Sequence, residues 1–252
     1  MHQHIEKGWS RRWRNILDKT HRVGTYSELQ ELLTALSAPV TPQMLAFVNA
    51  HAMNLIAESI SFYEAIHSAD ILLRDGSGMA TLFRLLAQSP GVNLNGTDMI
   101  PAIISRYDGR TIALLGSLDP YLHNAVARVG HVLAPQSEVM KANGFLEAAT
   151  YLALVLERRP ALIILGMGMP KQEQVATLLR RTLPFPCLIV CGGAIIDFLG
   201  AKVPRAPILM RKVGLEWLYR LALEPRRLFL RYVVGNPQFV LRALKFAFVT
   251  KQ

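Results

Sequence analysis

Four short segments of this 252-residue chain are unusually polar or glycine-rich where an apolar run ends. They are Asn49-Ala50-His51, Asp75-Gly76-Ser77-Gly78, Gly166 to Glu173, and Gly192-Gly193 with Asp197. Asp75 follows Ile71-Leu72-Leu73 beside a flexible turn, a place from which a carboxylate can deprotonate a hydroxyl as general base. Capping of the next helix by Asp75 or Ser77 is the alternative. Gly166 and Gly168 precede Pro170 and a helix that opens with Lys171, Gln172 and Glu173. Free N–H groups at a helix start attract phosphate, and Gln172 adds a neutral donor. Turn geometry alone also accounts for such glycines. The spacing is neither a P-loop nor a GxGxxG fingerprint, so NAD binding is not expected. Asp98, after Asn95-Gly96-Thr97, reads as a helix cap. Asp197 either holds a ribose or uracil edge or pairs with Arg205. Of the seven histidines only His51 lies at a candidate site edge, and none shows ligand spacing. With no Asp-x-Asp pair and no His-Glu-x-x-His motif, no metal and no cofactor are expected.

These segments need a scaffold that brings them together. Short apolar runs at Leu45–Asn49, Ile71–Arg74, Thr111–Leu115, Ala161–Leu165 and Cys187–Cys191 predict strands. Helical stretches near 51–66, 77–88, 98–107, 119–129, 145–158 and 171–182 lie between them, and Thr25 or Ser27 caps another over 25–36. Such alternation predicts an α/β fold, a mostly parallel sheet with helices on both faces. Ligands of these sheets bind beyond the carboxyl ends of the strands, where the four segments converge. Residues 1–24 are basic and aromatic without clear periodicity and read as a loose or peripheral arm.

The composition is that of a folded protein, 51% hydrophobic and 18% charged. The first residues lack the apolar core of a signal peptide, and no run is long enough to cross a membrane. Cys187 and Cys191 sit in an apolar run with no partner cluster, the pattern of a reduced compartment without a zinc site. The net charge of +10 lies almost wholly after residue 201, where eleven basic residues face only Glu216 and Glu224. A basic end on a neutral body calls for an anionic partner: phosphate, lipid headgroup or nucleic acid. Leu209, Val213 and Trp217 share one helical face, and Leu228/Tyr232 and Phe229/Val233 pair at helical spacing. Phe239, Val240, Ala243, Leu244, Ala247 and Phe248 form another face, with Arg242 and Lys245 to its side. Basic amphipathic helices of this kind lie in a membrane interface. Packing on the body or on a second subunit of a homo-oligomer is the other cover.

Together, Val48-Asn49-Ala50, Asp75-Gly76, Gly96-Thr97-Asp98, Asn143-Gly144-Phe145, the Gly166–Glu173 loop, Gly192-Gly193 with Asp197, Arg205-Ala206-Pro207 and Gly214 to Arg220 followed by Pro225 and Arg227 resemble the WecG/TagA/CpsF family of bacterial glycosyltransferases, glycosyltransferase family 26. The resemblance runs from about Tyr26 to Arg231. It implies an inverting, metal-independent enzyme with a Rossmann-like core over 25–207 and a C-terminal appendage over 208–252. It also implies a UDP-sugar donor of N-acetylmannosamine or glucose type, an acceptor sugar on undecaprenyl diphosphate, and a cytoplasmic protein on the inner face of the membrane. On this pattern Asp75 is the base. Asn49, His51, Gly76, Gly96, Asp98, Gly166, Gly168, Lys171, Gln172, Glu173, Gly193, Asp197 and Arg205 contact substrate, and Arg220, Arg227 and Arg231 hold the diphosphate. Phe47, Asn93 and Leu230 depart from the family pattern, the first two at positions that bear on the sugar substituent. A non-catalytic module that binds membrane or nucleic acid through its tail is the rival from another class. No sheet motif of basic and aromatic residues supports nucleic-acid binding, and a sugar-nucleotide epimerase lacks its dinucleotide fingerprint.

Overall fold

The computed structural model describes residues 8–250 apart from Val213, so the first residues, Lys251 and the Val213 position of the expected tail face lie outside the described residues. Six strands carry the fold: β1 (Pro42–Val48), β2 (Ile71–Arg74), β3 (Ile112–Gly116), β4 (Val139–Ala142), β5 (Leu162–Gly166) and β6 (Cys187–Cys191). They form one parallel sheet in the order β2-β1-β6-β5-β3-β4. The central strands are apolar at almost every position because helices cover both faces. Side chains alternate across the sheet. Met44, Ala46 and Val48 enter one core with Trp13 and Met53, while Leu45 and Phe47 enter the other with Leu33 and Ile103. The expected α/β class and the parallel, doubly covered sheet are what the structure has. β4 escaped the sequence reading because it is a short edge strand whose Lys141 is exposed, which leaves little apolar signal.

Fourteen α-helices fill the described residues: α1 (Gly8–Lys19), α2 (Tyr26–Ser37), α3 (Ala50–Glu58), α4 (Ile60–His67), α5 (Gly76–Leu85), α6 (Gly96–Ser105), α7 (Tyr121–Arg128), α8 (Ala148–Arg158), α9 (Lys171–Thr182), α10 (Ile195–Leu199), α11 (Ile208–Lys212), α12 (Glu216–Leu223), α13 (Pro225–Phe229) and α14 (Gly235–Thr250). π-helical turns follow α7 and α13. The single helix expected over 51–66 is two, because Ser59 leaves helical geometry and its side chain accepts from the Phe62 N–H to cap α4. Thr25 rather than Ser27 caps α2.

The two ends of the chain depart most from expectation. Residues 8–19 are not a loose arm. Trp13 and Ile16 are fully buried, and the Trp13 indole donates to the Met53 carbonyl at 2.8 Å. Arg12 donates to the carbonyls of Ile56 and Ala57 at 2.7 and 2.6 Å, closing the end of α3. The apolar face of α14 splits: Phe239, Ala243 and Ala247 are buried, whereas Val240, Leu244 and Phe248 face outward. The Trp13 ring lies 5.7 Å from the rings of both Phe239 and Phe246. The expectation that the body has its own core by residue 200 is therefore amended, since α14 and α1 complete the core from opposite ends of the sequence.

Candidate active site

Residues just past, or at the end of, all six strands line one cleft of about 720 Å³: Asn49, Asp75, Ser117, Gly144, Gly166 and Gly192. The parallel sheet causes this convergence, because every strand ends on the same edge. Crowding there fixes several glycines. A Cβ on Gly116, at φ +153°, would meet the Gly166 backbone at 2.5 Å, and one on Gly166 would meet Ile196 at 2.7 Å. Gly168 and Gly193 have positive φ and open space where a side chain would go, so they leave room as well as turn the chain.

Asp75 sits at the N-cap position of α5 but makes no side-chain cap hydrogen bond. Capping, the rival reading of this carboxylate, does not hold it. Asn49 caps α3 by accepting from the Ala52 N–H at 3.1 Å, and its amide nitrogen donates to Asp75 Oδ2 at 3.4 Å. Asp75 keeps some solvent contact through the cleft mouth yet is densely surrounded by protein. That burial raises its pKa, opposed by the Asn49 hydrogen bond and by the charges of Arg231, Arg220 and Arg74. His51 shares the cleft. Burial and the nearby Arg231 charge lower its pKa to about 4, so its imidazole is neutral at physiological pH.

Arg74, which the sequence reading passed over, organises the loop after β2 from beneath. Its guanidinium is buried and donates to the carbonyls of Pro90, Gly91 and Gly76 and to Asn93 Oδ1. Asn93 also accepts from the Gly76 N–H at 3.1 Å. This residue, one of the departures from the family pattern, thus ties the loop after β2 to the chain before α6. Phe47, another departure, lines the cleft beside Gly96.

The Gly166–Glu173 loop is largely occupied by its own neighbours. Lys171 donates to the carbonyls of Gly144 and Leu146 at 3.1 and 2.8 Å. Gln172 is almost fully buried. It donates to Glu173 Oε1 and accepts from the Gly193 N–H, both within 2.9 Å, so it positions the Gly192-Gly193 loop. Asp197 accepts from the Ser117 hydroxyl at 2.6 Å and pairs with Lys202 rather than with Arg205. Three expected contacts do not line the cleft. Asp98 pairs with Arg205 and with Asn95, the side chain that caps α6. Glu173 is wholly buried behind Gln172 with Oε2 unpartnered, and burial raises its pKa to about 7. The other fourteen expected positions, Asn49, His51, Asp75, Gly76, Gly96, Gly166, Gly168, Lys171, Gln172, Gly193, Asp197, Arg220, Arg227 and Arg231, line it together.

The C-terminal region supplies the opposite wall. Arg211, Glu216, Trp217, Arg220, Arg227 and Arg231 all face the cleft. Arg227 is held by Glu224. Arg211, Arg220 and Arg231 each have a buried Nε without a hydrogen-bond partner among the described residues. Leu230 is exposed, whereas Arg231, four residues after Arg227 and so on the same helical side, lines the cleft. Glu216 adds a third carboxylate to Asp75 and Asp197, its pKa raised by burial and by the charge of Asp75. The sequence reading missed Ser117, Lys202, Arg211 and Glu216 as lining residues. Ser117 obeys the same strand-end rule as Asn49 and Asp75, whereas Arg211 and Glu216 entered only as charge. Among the described residues no three His, Cys, Asp or Glu side chains converge to hold a metal ion.

The chain is similar in sequence to known glycosyltransferases. The chain is 23% identical over 205 residues to an N-acetylglucosaminyldiphosphoundecaprenol N-acetyl-beta-D-mannosaminyltransferase of Bacillus subtilis (strain 168), covering 80% of this chain and 79% of that protein. It is 23% identical over 217 residues to the protein of the same name from Staphylococcus aureus (strain NCTC 8325 / PS 47), covering 84% and 82%. Residues 14–252 match the family described as glycosyl transferase WecG/TagA/CpsF, so the second half of α1, the cleft and the arginine-bearing C-terminal region all fall within one match, and the chain belongs to this family of glycosyltransferases.

Proposed function

We propose that the protein transfers a sugar from a UDP-linked donor, of N-acetylmannosamine or glucose type, to a sugar carried on undecaprenyl diphosphate, with inversion and without a metal. The observation that carries this reading is the set of three cleft arginines, Arg211, Arg220 and Arg231, whose buried Nε atoms lack partners among the described residues. An unsatisfied buried donor costs about 1–3 kcal/mol, more when charged. Three such donors around one cleft suit a ligand with several anionic oxygens, and a diphosphate has the geometry for bidentate arginine contacts.

In this mechanism Asp75 takes the proton of the acceptor hydroxyl. The oxygen attacks the anomeric carbon from the face opposite UDP. The new glycosidic bond forms as the bond to the diphosphate oxygen breaks, and UDP leaves with that electron pair. The arginines stabilise the developing charge in place of a metal. Burial raises the pKa of Asp75, and the Asn49 hydrogen bond with the charges of Arg231, Arg220 and Arg74 opposes that rise, which favours the ionised form a base needs.

The appendage is assigned to the inner membrane surface. Leu209, Leu230, Leu241 and Phe248 are 66–73% exposed, and Arg226 and Lys245 are exposed among them. No described helix is long and apolar enough to cross a membrane, so this surface would lie flat in the interface. The deciding experiment incubates the protein with a panel of UDP-sugars and an N-acetylglucosaminyl-diphosphate-polyprenyl acceptor, with UDP release as readout and EDTA as a parallel arm. Release from at least one donor, unaffected by EDTA, is expected. No release from any donor would overturn the function, and loss in EDTA restored by magnesium would overturn the metal-independent step.

A further inference from the structure

The cleft continues past Asp75 into a groove between α5 and α14. Gly78, Thr81 and Leu85 recur at helical spacing on α5, and Asn236, Phe239, Val240 and Ala243 do so on α14, all within the same cavity. Both helices begin at the catalytic cleft: Asp75 immediately precedes α5, and the turn bearing Arg231 leads into α14. Gly78 lets them meet, since a Cβ there would lie 3.3 Å from the Phe239 ring. From Gly76 to Leu85 the helix rises about 13 Å, so the groove leads well away from the reacting centre.

Beyond the Asn236 amide at the cleft end, its walls offer little hydrogen bonding. Phe239 and Ala243 form a buried apolar floor, and the Thr81 hydroxyl is already spent on the Ser77 carbonyl at 3.1 Å. At its outer side Val240 is half exposed and starts a stripe with Leu244 and Phe248, each four residues on. The groove thus joins a cationic, partner-poor site at one end to an exposed apolar stripe at the other.

We propose that this groove binds the first isoprene units of the lipid-linked acceptor, holding the chain between the active site and the membrane surface. The inference rests on the transferase reading above. A diphosphate-headed isoprenoid matches the cavity end to end, its anionic head in the positive field of the cleft that also takes the donor and its apolar tail against α5 and α14. A nucleotide-sugar has no apolar part to fill it.

Binding alone tests the groove, apart from catalysis. Calorimetric titration compares geranylgeranyl diphosphate, below its micelle concentration, with inorganic pyrophosphate on the full chain. The lipid is expected to bind at least tenfold more tightly. Thr81→Asp and Val240→Asp, both at solvent-exposed positions, should bring that ratio close to one while leaving pyrophosphate affinity and the melting temperature unchanged. Leu241→Asp, on the same helix and outside the groove, should leave the ratio intact. A ratio near one in the unaltered chain overturns the proposal, as does a preference that survives both groove variants. With active enzyme, Val240→Asp should raise KM about tenfold for a polyprenyl acceptor and leave KM for a short-alkyl acceptor within twofold. Equal effects on the two acceptors would overturn the groove, whereas absence of turnover in every arm would count against the transferase reading alone.

Discussion

The two walls of the cleft are built on opposite plans. On the strand-end wall the polar groups are satisfied by one another: Lys171 holds two carbonyls, Gln172 holds Gly193 and Glu173, and Asp197 holds Ser117 and Lys202. On the C-terminal wall Arg211, Arg220 and Arg231 keep buried nitrogens without partners among the described residues, and the surface behind them is apolar and exposed. A wall whose groups are already paired has a fixed shape and little left to give a ligand. A wall of unpaired cations can bind one strongly but needs anchoring from elsewhere. Here α14 anchors it by inserting Phe239 and Phe246 beside Trp13.

The sharpest way to break this contrast is to remove the anchor. A chain ending after Val234 loses Phe239, Ala243, Phe246 and Ala247 from the core, so no cooperative thermal unfolding is expected. Phe246→Ala alone should cost about 3–5 kcal/mol. A cooperative melt from the truncated chain would show that α14 is a separable appendage and not the anchor of the wall.

Next in size, Asp75→Asn should lower turnover roughly 100-fold or more while UDP still raises the melting temperature. Retained turnover per folded molecule would move the base elsewhere, with Glu216 the first candidate. Arg231→Ala and Arg220→Ala should each cost about 10- to 100-fold in UDP affinity, as loss of a charge-assisted hydrogen bond implies. Lys171→Ala should instead lower the melting temperature with little change in UDP affinity. If the two walls respond alike, the contrast between them fails.

A smaller effect concerns pH. Asp75 has a folded pKa above its ordinary value, and in the proposed role of base it acts only when ionised, so the rate should fall as pH drops, with an inflection above the usual carboxylate range of about 4. Asn49→Ala removes a hydrogen bond to the charged form and should move that inflection higher. Smallest is the effect at Glu173, whose pKa is near 7 in the fold against 4.5 for a freely solvated glutamate. Its raised folded value means that stability is greatest below the unfolded pKa and is lost as pH rises from about 4.5 to 7. Glu173→Gln should flatten the melting temperature across that window and raise it by a few degrees at pH 8. An unchanged pH dependence would show that Glu173 is not the group responsible.

Much of this was legible in the sequence because it depends on local patterns. Apolar runs that alternate with helical stretches give five of six strands, and the rule that parallel strands end on one edge gathers Asn49, Asp75, Gly166 and Gly192 without any distance being known. The charge excess after residue 201 also stands in the chain itself. Which partner each charge chooses does not. Arg205 and Asp197 each had a free counterpart in sequence, yet the fold pairs Arg205 with Asp98 and Asp197 with Lys202. Glu173 follows a cleft residue and still points into the interior. α1 and α14 lie more than two hundred residues apart, and only their contact turns a basic aromatic stretch and an amphipathic tail into core. Periodicity reports which face of a helix is apolar. Whether that face is covered by protein is settled by what tertiary packing places against it, and in α14 the packing buries Phe239, Ala243 and Ala247 and leaves Val240, Leu244 and Phe248 exposed.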